Sequence, residues 1–327
     1  MPVGMRAAAG GLLLAAALSG CAIGPALRVS EAAPEAPLLL PHVPFHPQEK
    51  YQCGPAALAM VLGASGIAAD PDALAPQVYL PGREGSLQVE LGAAMRRAGR
   101  IPYPVAQTPE ALLAEVRAGR PVLVLQNLLT RSVPRWHYAV VVGADPERNR
   151  IVLHSGTRRA LATPARTFLR TWDWAGRWGV VALRPGDMPA MPEPLAYLAA
   201  VADFESVAGA AAARPAFDAA YRRWPTHPQV LLAMGNLRHA AGDRAAAARF
   251  YRDGLAQSPG DAVLANNYAS VLGELGCRRE ALGVLDAVRA DDARWATTLR
   301  QTRSEIESGK ARRQPACDDI APPRAGR

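Results

Sequence analysis

Hydrophobic positions change their rhythm along the chain, and each change predicts an element. Cys53 to Gly63 is a compact apolar run of helical length, and Glu110 to Ala118 carries apolar residues at helical spacing. The run from Pro121 to Gln126 is short, continuous and apolar, which predicts a buried strand. Tyr138 to Gly143 and Ile151 to Leu153 flank Asp145-Pro-Glu-Arg-Asn149, a segment with turn chemistry, so the two runs are expected to pair as a β-hairpin. Gly179 to Leu183 predicts a last strand. The proline-rich stretch from Pro185 to Pro194 interrupts every periodicity and marks a domain boundary.

Beyond Pro194 the chain becomes alanine-rich, helical and repetitive. Gly242 and Gly276 stand 34 residues apart, each between two stretches of helical length. With Pro228 as the first position, Gly235, Ala247, Tyr251 and Pro259 fall at positions 8, 20, 24 and 32. This resembles the tetratricopeptide repeat (TPR), whose small residues at positions 8 and 20 let two helices touch. The unit from Pro194 supplies Ala213, Phe217 and Pro225 at the last three places but has Val201 at the eighth. The unit from Ala262 supplies Ala269, Ala281 and Leu285 and lacks the closing proline. A generic helical bundle has no fixed period, so residues 194–306 are read as a solenoid with units 194–227, 228–261 and 262–295.

At the other end, Arg6 precedes an apolar run to Leu18 that is too short to span a bilayer and has the size of a signal-peptide core. It closes on Leu18-Ser-Gly-Cys21, which resembles the bacterial lipobox. The resemblance implies that residues 1–20 are a leader and that Cys21 is lipidated; Ala22 in place of Asp favours the outer membrane. Residues 21–42, with several prolines and little periodicity, read as a tether, and 307–327 as a tail. The expectation is a bacterial envelope lipoprotein facing the periplasm, held to the membrane by its N-terminal lipid.

Composition sharpens this picture. The chain has 327 residues, 50% of them hydrophobic and 20% charged, enough for two domains and unlike a disordered or collagen-like chain. The net charge of +8 invites a nucleic-acid reading, but lysine stands only at Lys50 and Lys310, and the arginines are dispersed. No nucleic-acid partner is therefore expected. Four cysteines are too few for a disulfide-dense scaffold. In an oxidising periplasm Cys277 and Cys317 are expected to bridge rather than remain two free thiols, which leaves Cys53 free once Cys21 is lipidated.

The candidate chemistry centres on Cys53, where a loop turns into a helix. Gly54 is expected to supply backbone freedom, and Pro55 suits a first helical turn. A thiol at a helix N-terminus feels the positive end of the dipole, which lowers its pKa. Of the six histidines, His137 is the best placed base, opening the Tyr138 to Gly143 strand. Either residue alone fits a plain helix start or a polar strand edge; their order and setting together are those of papain-like cysteine peptidases.

Gln48-x-x-x-x-Cys53-Gly-Pro-Ala-Ala-Leu-Ala-Met60, with the later His137-Tyr-Ala-Val-Val-Val-Gly143, resembles the bacteriocin-processing cysteine peptidase family, which cuts leader peptides after a double glycine. It is closer still to stand-alone lipoprotein relatives that carry TPR repeats. The resemblance covers about residues 43–186 and implies an α+β fold: a papain-like peptidase domain followed by an all-α TPR solenoid. It implies Cys53 as nucleophile, His137 as general base and Gln48 as oxyanion donor beside the Cys53 N–H, with Gln52 the weaker candidate. The family's histidine-orienting Asp is missing. Ser155 falls at its place, roughly opposite His137 across the hairpin. Asp145 lies too far along the strand, and Asp173 would have to fold back. A neutral partner fixes the tautomer but stabilises the imidazolium less. His154 reads as a surface residue. No metal-ligand spacing and no phosphate loop appear, so no cofactor or metal is expected.

Two functions remain open. One is a lipid-anchored cysteine peptidase acting on a peptide or protein, with the repeats recruiting substrate or a protein partner. The other is a catalytically weak or inactive peptidase-fold scaffold that works through its repeats.

Overall fold

The computed structural model describes residues 36–47, 52–288, 293–309 and 317. Strand β1 (Leu38–Leu39) precedes helix α1 (Cys53–Ala64), followed by α2 (Pro71–Val78), strands β2 (Tyr79–Leu80) and β3 (Gly85–Ser86), and α3 (Gln88–Arg97). Next come β4 (Ile101–Pro104), α4 (Pro109–Arg117), β5 (Val122–Asn127), β6 (Trp136–Asp145), β7 (Arg150–Ser155), β8 (Arg158–Pro164), α5 (Ala165–Asp173) and β9 (Gly179–Leu183). Local chemistry explains several starts. Asp70 caps α2 ahead of Pro71, and the Thr108 hydroxyl accepts from Ala111 N–H at the start of α4.

Seven of the described strands form one antiparallel sheet in the order β4-β9-β5-β6-β7-β8, with β1 added beside β6, and β2 and β3 pair as a separate hairpin. Every residue of β5 is buried, as is nearly the whole of α1, which packs against β5, β6 and β9. This burial on all sides explains why α1 shows an apolar run rather than one apolar stripe. The tether expected to run to residue 42 ends earlier, because Leu38 and Leu39 pair with Ala144 and Gly143. Gly143 makes room for them: a Cβ there would lie 2.3 Å from the Leu38 carbonyl oxygen.

From Pro194 the chain continues as α6 (Pro194–Ala208), α7 (Ala210–Arg223), α8 (Pro228–Ala240), α9 (Arg244–Gln257), α10 (Ala262–Glu274), α11 (Arg278–Ala287) and α12 (Ala293–Ser308). Successive helices pack on one another, so the C-terminal region of this α+β molecule is helical. Gly242 and Gly276 both turn the chain at φ 80°, ending α8 and α10. Gly235 on α8 lies under the Tyr251 ring of α9, where a Cβ would approach to 2.3 Å. The proline-rich stretch does not divide the hydrophobic core: α6 packs on β4, Tyr103 meets Tyr197 at 6.4 Å, and one cluster runs from Leu40 to Met234. A second cluster spans Ala247 to Ile306, and a disulfide joins Cys277 to Cys317. Among the described residues, no helix is long and apolar enough to cross a membrane.

Candidate active site

Cys53 is the first residue of α1 and the free cysteine among the described residues. Backbone N–H groups of Tyr138, Gly54 and Cys53 itself favour the thiolate, as a helix start should. Burial outweighs them and pushes the thiol above its ordinary value. The expectation of a dipole-lowered thiol is thus reversed, because the helix start is packed against β6 rather than open to water.

The neighbourhood of the thiol is built by residues distant in sequence. Tyr138, buried in β6, donates its hydroxyl to the Ser86 carbonyl at 3.2 Å and sets its ring edge-on to Trp178, with centroids 5.9 Å apart. Ser86 in turn lies against Gly54, where a Cβ would come within 2.3 Å of its Oγ. Gly54 therefore serves close approach, not backbone freedom; its φ is an ordinary helical one. The short β2–β3 hairpin ties the start of α1 to the strand that carries His137.

His137 pairs with Gln126 across β5 and β6, and its Nε2 lies 2.9 Å from Ser155 Oγ. Ser155 is not directly opposite. The ladder pairs Val140 with His154 and Val141 with Leu153, so one further step sets Ser155 against Ala139. That makes Ser155 the diagonal neighbour of His137 on the same face, within side-chain reach. Burial first, and the positive charge of Arg135 second, bring the His137 pKa down to about 4. With the ring neutral, an Nε2–H donated to Ser155 leaves the Nδ1 lone pair to take a proton.

The other candidates are placed elsewhere. Asp145 accepts from the Arg148 N–H at 3.0 Å and pairs with its guanidinium inside the hairpin turn. Asp173 pairs with Arg131 at 2.7 Å and Arg177 at 3.2 Å instead of reaching His137. His154 is not on the surface. It is 2% exposed, packs edge-on to Phe45 at 5.2 Å and accepts from the Ala160 N–H. Gln52 occupies the cap position of α1 with no side-chain cap bond. Gln48 and Cys21 lie outside the described residues. Among those residues, no group of His, Cys, Asp and Glu has the arrangement of a metal site. Ser86 and Tyr138 escaped the sequence reading because their bond joins positions 52 residues apart.

Residues 41–179 match the Peptidase_C39 like family. A C39-like peptidase domain therefore occupies the stretch where the cysteine and histidine motifs lie, in agreement with the cysteine-peptidase resemblance they carry. Among solved structures, the chain is similar to a C39-like peptidase from Bacillus anthracis, at 18% identity and a TM-score of 0.39, over 46% of this chain and 98% of that one. No curated protein matches the chain.

Proposed function

We propose that this protein is a lipid-anchored periplasmic cysteine peptidase, with Cys53 as nucleophile and His137 as base and acid. The observation that carries the reading is that α1, whose first residue is the free thiol, packs on β6, the strand that carries His137 with Ser155 Oγ 2.9 Å from its ring. Because burial holds both groups neutral, the reaction starts from thiol and imidazole rather than from an ion pair. As Sγ attacks the scissile carbonyl carbon, its proton passes to His137. The Cys53 backbone N–H, with the side-chain amide of Gln48 as the family resemblance implies, receives the oxyanion. Collapse breaks the C–N bond, and His137 returns the proton to the leaving amine. Water, deprotonated by His137, then hydrolyses the thioester to a carboxylate and restores the thiol.

Residues 194–306 are proposed as TPR repeats that recruit the substrate or a protein partner. Their support is the common 34-residue spacing, with α6, α8 and α10 beginning at Pro194, Pro228 and Ala262, and the Gly235–Tyr251 contact. Lipidation of Cys21 and an outer-membrane position rest on the lipobox resemblance; mass spectrometry of the mature N-terminus tests them.

A second reading, a peptidase-fold scaffold without turnover, is favoured by one observation: an uncharged serine, and no carboxylate, stands on His137 Nε2. An activity-based thiol probe applied to the wild type, Cys53→Ala and His137→Ala separates the two. The peptidase reading expects fast labelling of Cys53 that is lost with His137. Labelling no faster than that of an ordinary thiol, and unchanged in His137→Ala, would sink it.

A further inference from the structure

The loop between β5 and β6 opens at the sheet end where His137 and Ser155 sit, and a polar interior fixes its shape. Asn127 is 1% exposed; its Oδ1 accepts from the Leu129 and Arg135 N–H groups at 3.2 and 2.9 Å, and its Nδ2 donates to the Thr130 carbonyl at 2.7 Å. The Thr130 hydroxyl accepts from Val133 N–H at 3.0 Å. Held this way, the loop does not fold its apolar side chains onto the core. Leu129, Val133 and Trp136 stay 50%, 60% and 54% exposed. Scattered exposed apolar residues are ordinary, but these three fall within eight positions, two on the loop and one at the first residue of β6, and so concentrate apolar surface at this end of the sheet.

The charge beside this patch has one sign. Residues 127–137 and 155–160 contain arginine but no Asp or Glu. Arg131 is neutralised by Asp173 from α5. Arg135, Arg158 and Arg159 are exposed, and none has a carboxylate partner among the described residues. Antiparallel order brings the β5–β6 and β7–β8 loops to the same end of the sheet, so the three arginines and the apolar loop share one rim. The charge of Arg135 reaches the His137 ring, and that of Arg159 reaches His154.

We propose that this rim selects the substrate: an acidic peptide segment carrying a bulky apolar side chain, seated on Leu129, Val133 and Trp136 with its carboxylates facing Arg135, Arg158 and Arg159. The inference rests on the peptidase reading, since the strand ends that carry the rim also carry His137 and Ser155. Unpaired cations beside a preorganised apolar surface supply both attraction and register for such a segment. A basic segment is repelled, and a polar acidic one leaves the apolar wall unfilled.

The test measures fluorescence anisotropy of short fluorescein-labelled peptides with full-length Cys53→Ala protein, which reads binding without turnover. Three compositions are compared: Leu/Glu/Gly, Leu/Lys/Gly and Ser/Glu/Gly. The Leu/Glu/Gly peptide is expected to bind roughly 10-fold or more tightly than the other two. That advantage should fall by a similar factor in R135E/R158E/R159E and, separately, in V133S/W136S, with circular dichroism unchanged, and the arginine-dependent part should weaken with salt. Equal binding of all three peptides, or no effect of either rim variant, overturns the proposal. So does binding of anionic phosphatidylglycerol vesicles through the same residues with no preference among peptides. The thiol-probe result stands apart: a reactive Cys53 with indiscriminate peptide binding removes the rim proposal alone, and an unreactive Cys53 with selective binding removes the peptidase reading alone.

Discussion

Replacing Ser155 with Asp restores a carboxylate where the structure has a hydroxyl, and the size of the effect follows from the geometry. Ser155 Oγ is 2.9 Å from His137 Nε2. A carboxylate here would lie about 4 Å from the centre of an imidazolium charge, an attraction of about 4 kcal/mol at an effective dielectric of about 20. At about 1.4 kcal/mol per unit this amounts to about 3 pKa units. Ser155 is half-buried, so desolvation of the new carboxylate and screening remove a good part, leaving a rise of about 1.5–2 units. His137 should move from about 4 to near 6. In the proposed site a charged imidazolium favours the Cys53 thiolate, so part of the His137 rise should appear as greater Cys53 reactivity. Two assays check this: NMR titration of the His137 ring, and the pH dependence of Cys53 alkylation by iodoacetamide. Alkylation of Ser155→Asp at pH 6.5 should exceed that of the wild type by about 10-fold. A His137 pKa within half a unit of wild type would refute the electrostatic reasoning. A risen His137 pKa with unchanged alkylation would show that His137 does not act on Cys53.

Further outcomes follow from burial and packing. Gly54→Ala places a Cβ 2.3 Å from Ser86 Oγ and 2.6 Å from Ser86 Cβ, so it should cost about 1–3 kcal/mol in urea unfolding and slow Cys53 labelling as β3 is displaced. An unchanged midpoint would mean that the hairpin yields freely. The folded-state pKa of His137, about 4, lies below its ordinary 6.5, so the unfolded chain takes up the proton first as pH falls between those values. That stability is whole above about 6.5 and lost by about 4; the wild type should therefore lose about 3 kcal/mol more than His137→Gln between pH 7 and 4. Parallel pH curves for the two proteins would exclude a buried neutral His137. The Cys277–Cys317 bridge closes a span of 40 residues, and its loss in Cys277→Ser/Cys317→Ser should destabilise the C-terminal helices by about 3–4 kcal/mol. Urea curves that coincide with and without reductant would contradict this.

Much of the peptidase-fold core was legible because its signals are local. The apolar runs at α1, β5 and β6, the turn chemistry of residues 145–149 and the prolines opening α6 and α8 each act within a few residues. The hairpin count also put Ser155 on the face of His137, since strand periodicity survives a small register error; only the diagonal offset was missed. What the sequence could not state is how closely those elements pack. A helix N-terminus lowers a thiol's pKa in water, but α1 is enclosed by the sheet, and desolvation reverses the sign for Cys53. His154 alternates along a strand as a rim residue would, yet Phe45 covers it from a distant segment. Ser86 and Tyr138 have no motif at all, because their bond joins the β2–β3 hairpin to the strand beside Cys53. Chain-local geometry and motif chemistry thus determined which groups are present and in what order. Tertiary packing alone decided the direction of the Cys53 and His137 pKa shifts and the partners of these groups, because desolvation and electrostatics depend on neighbours that the chain brings together only on folding.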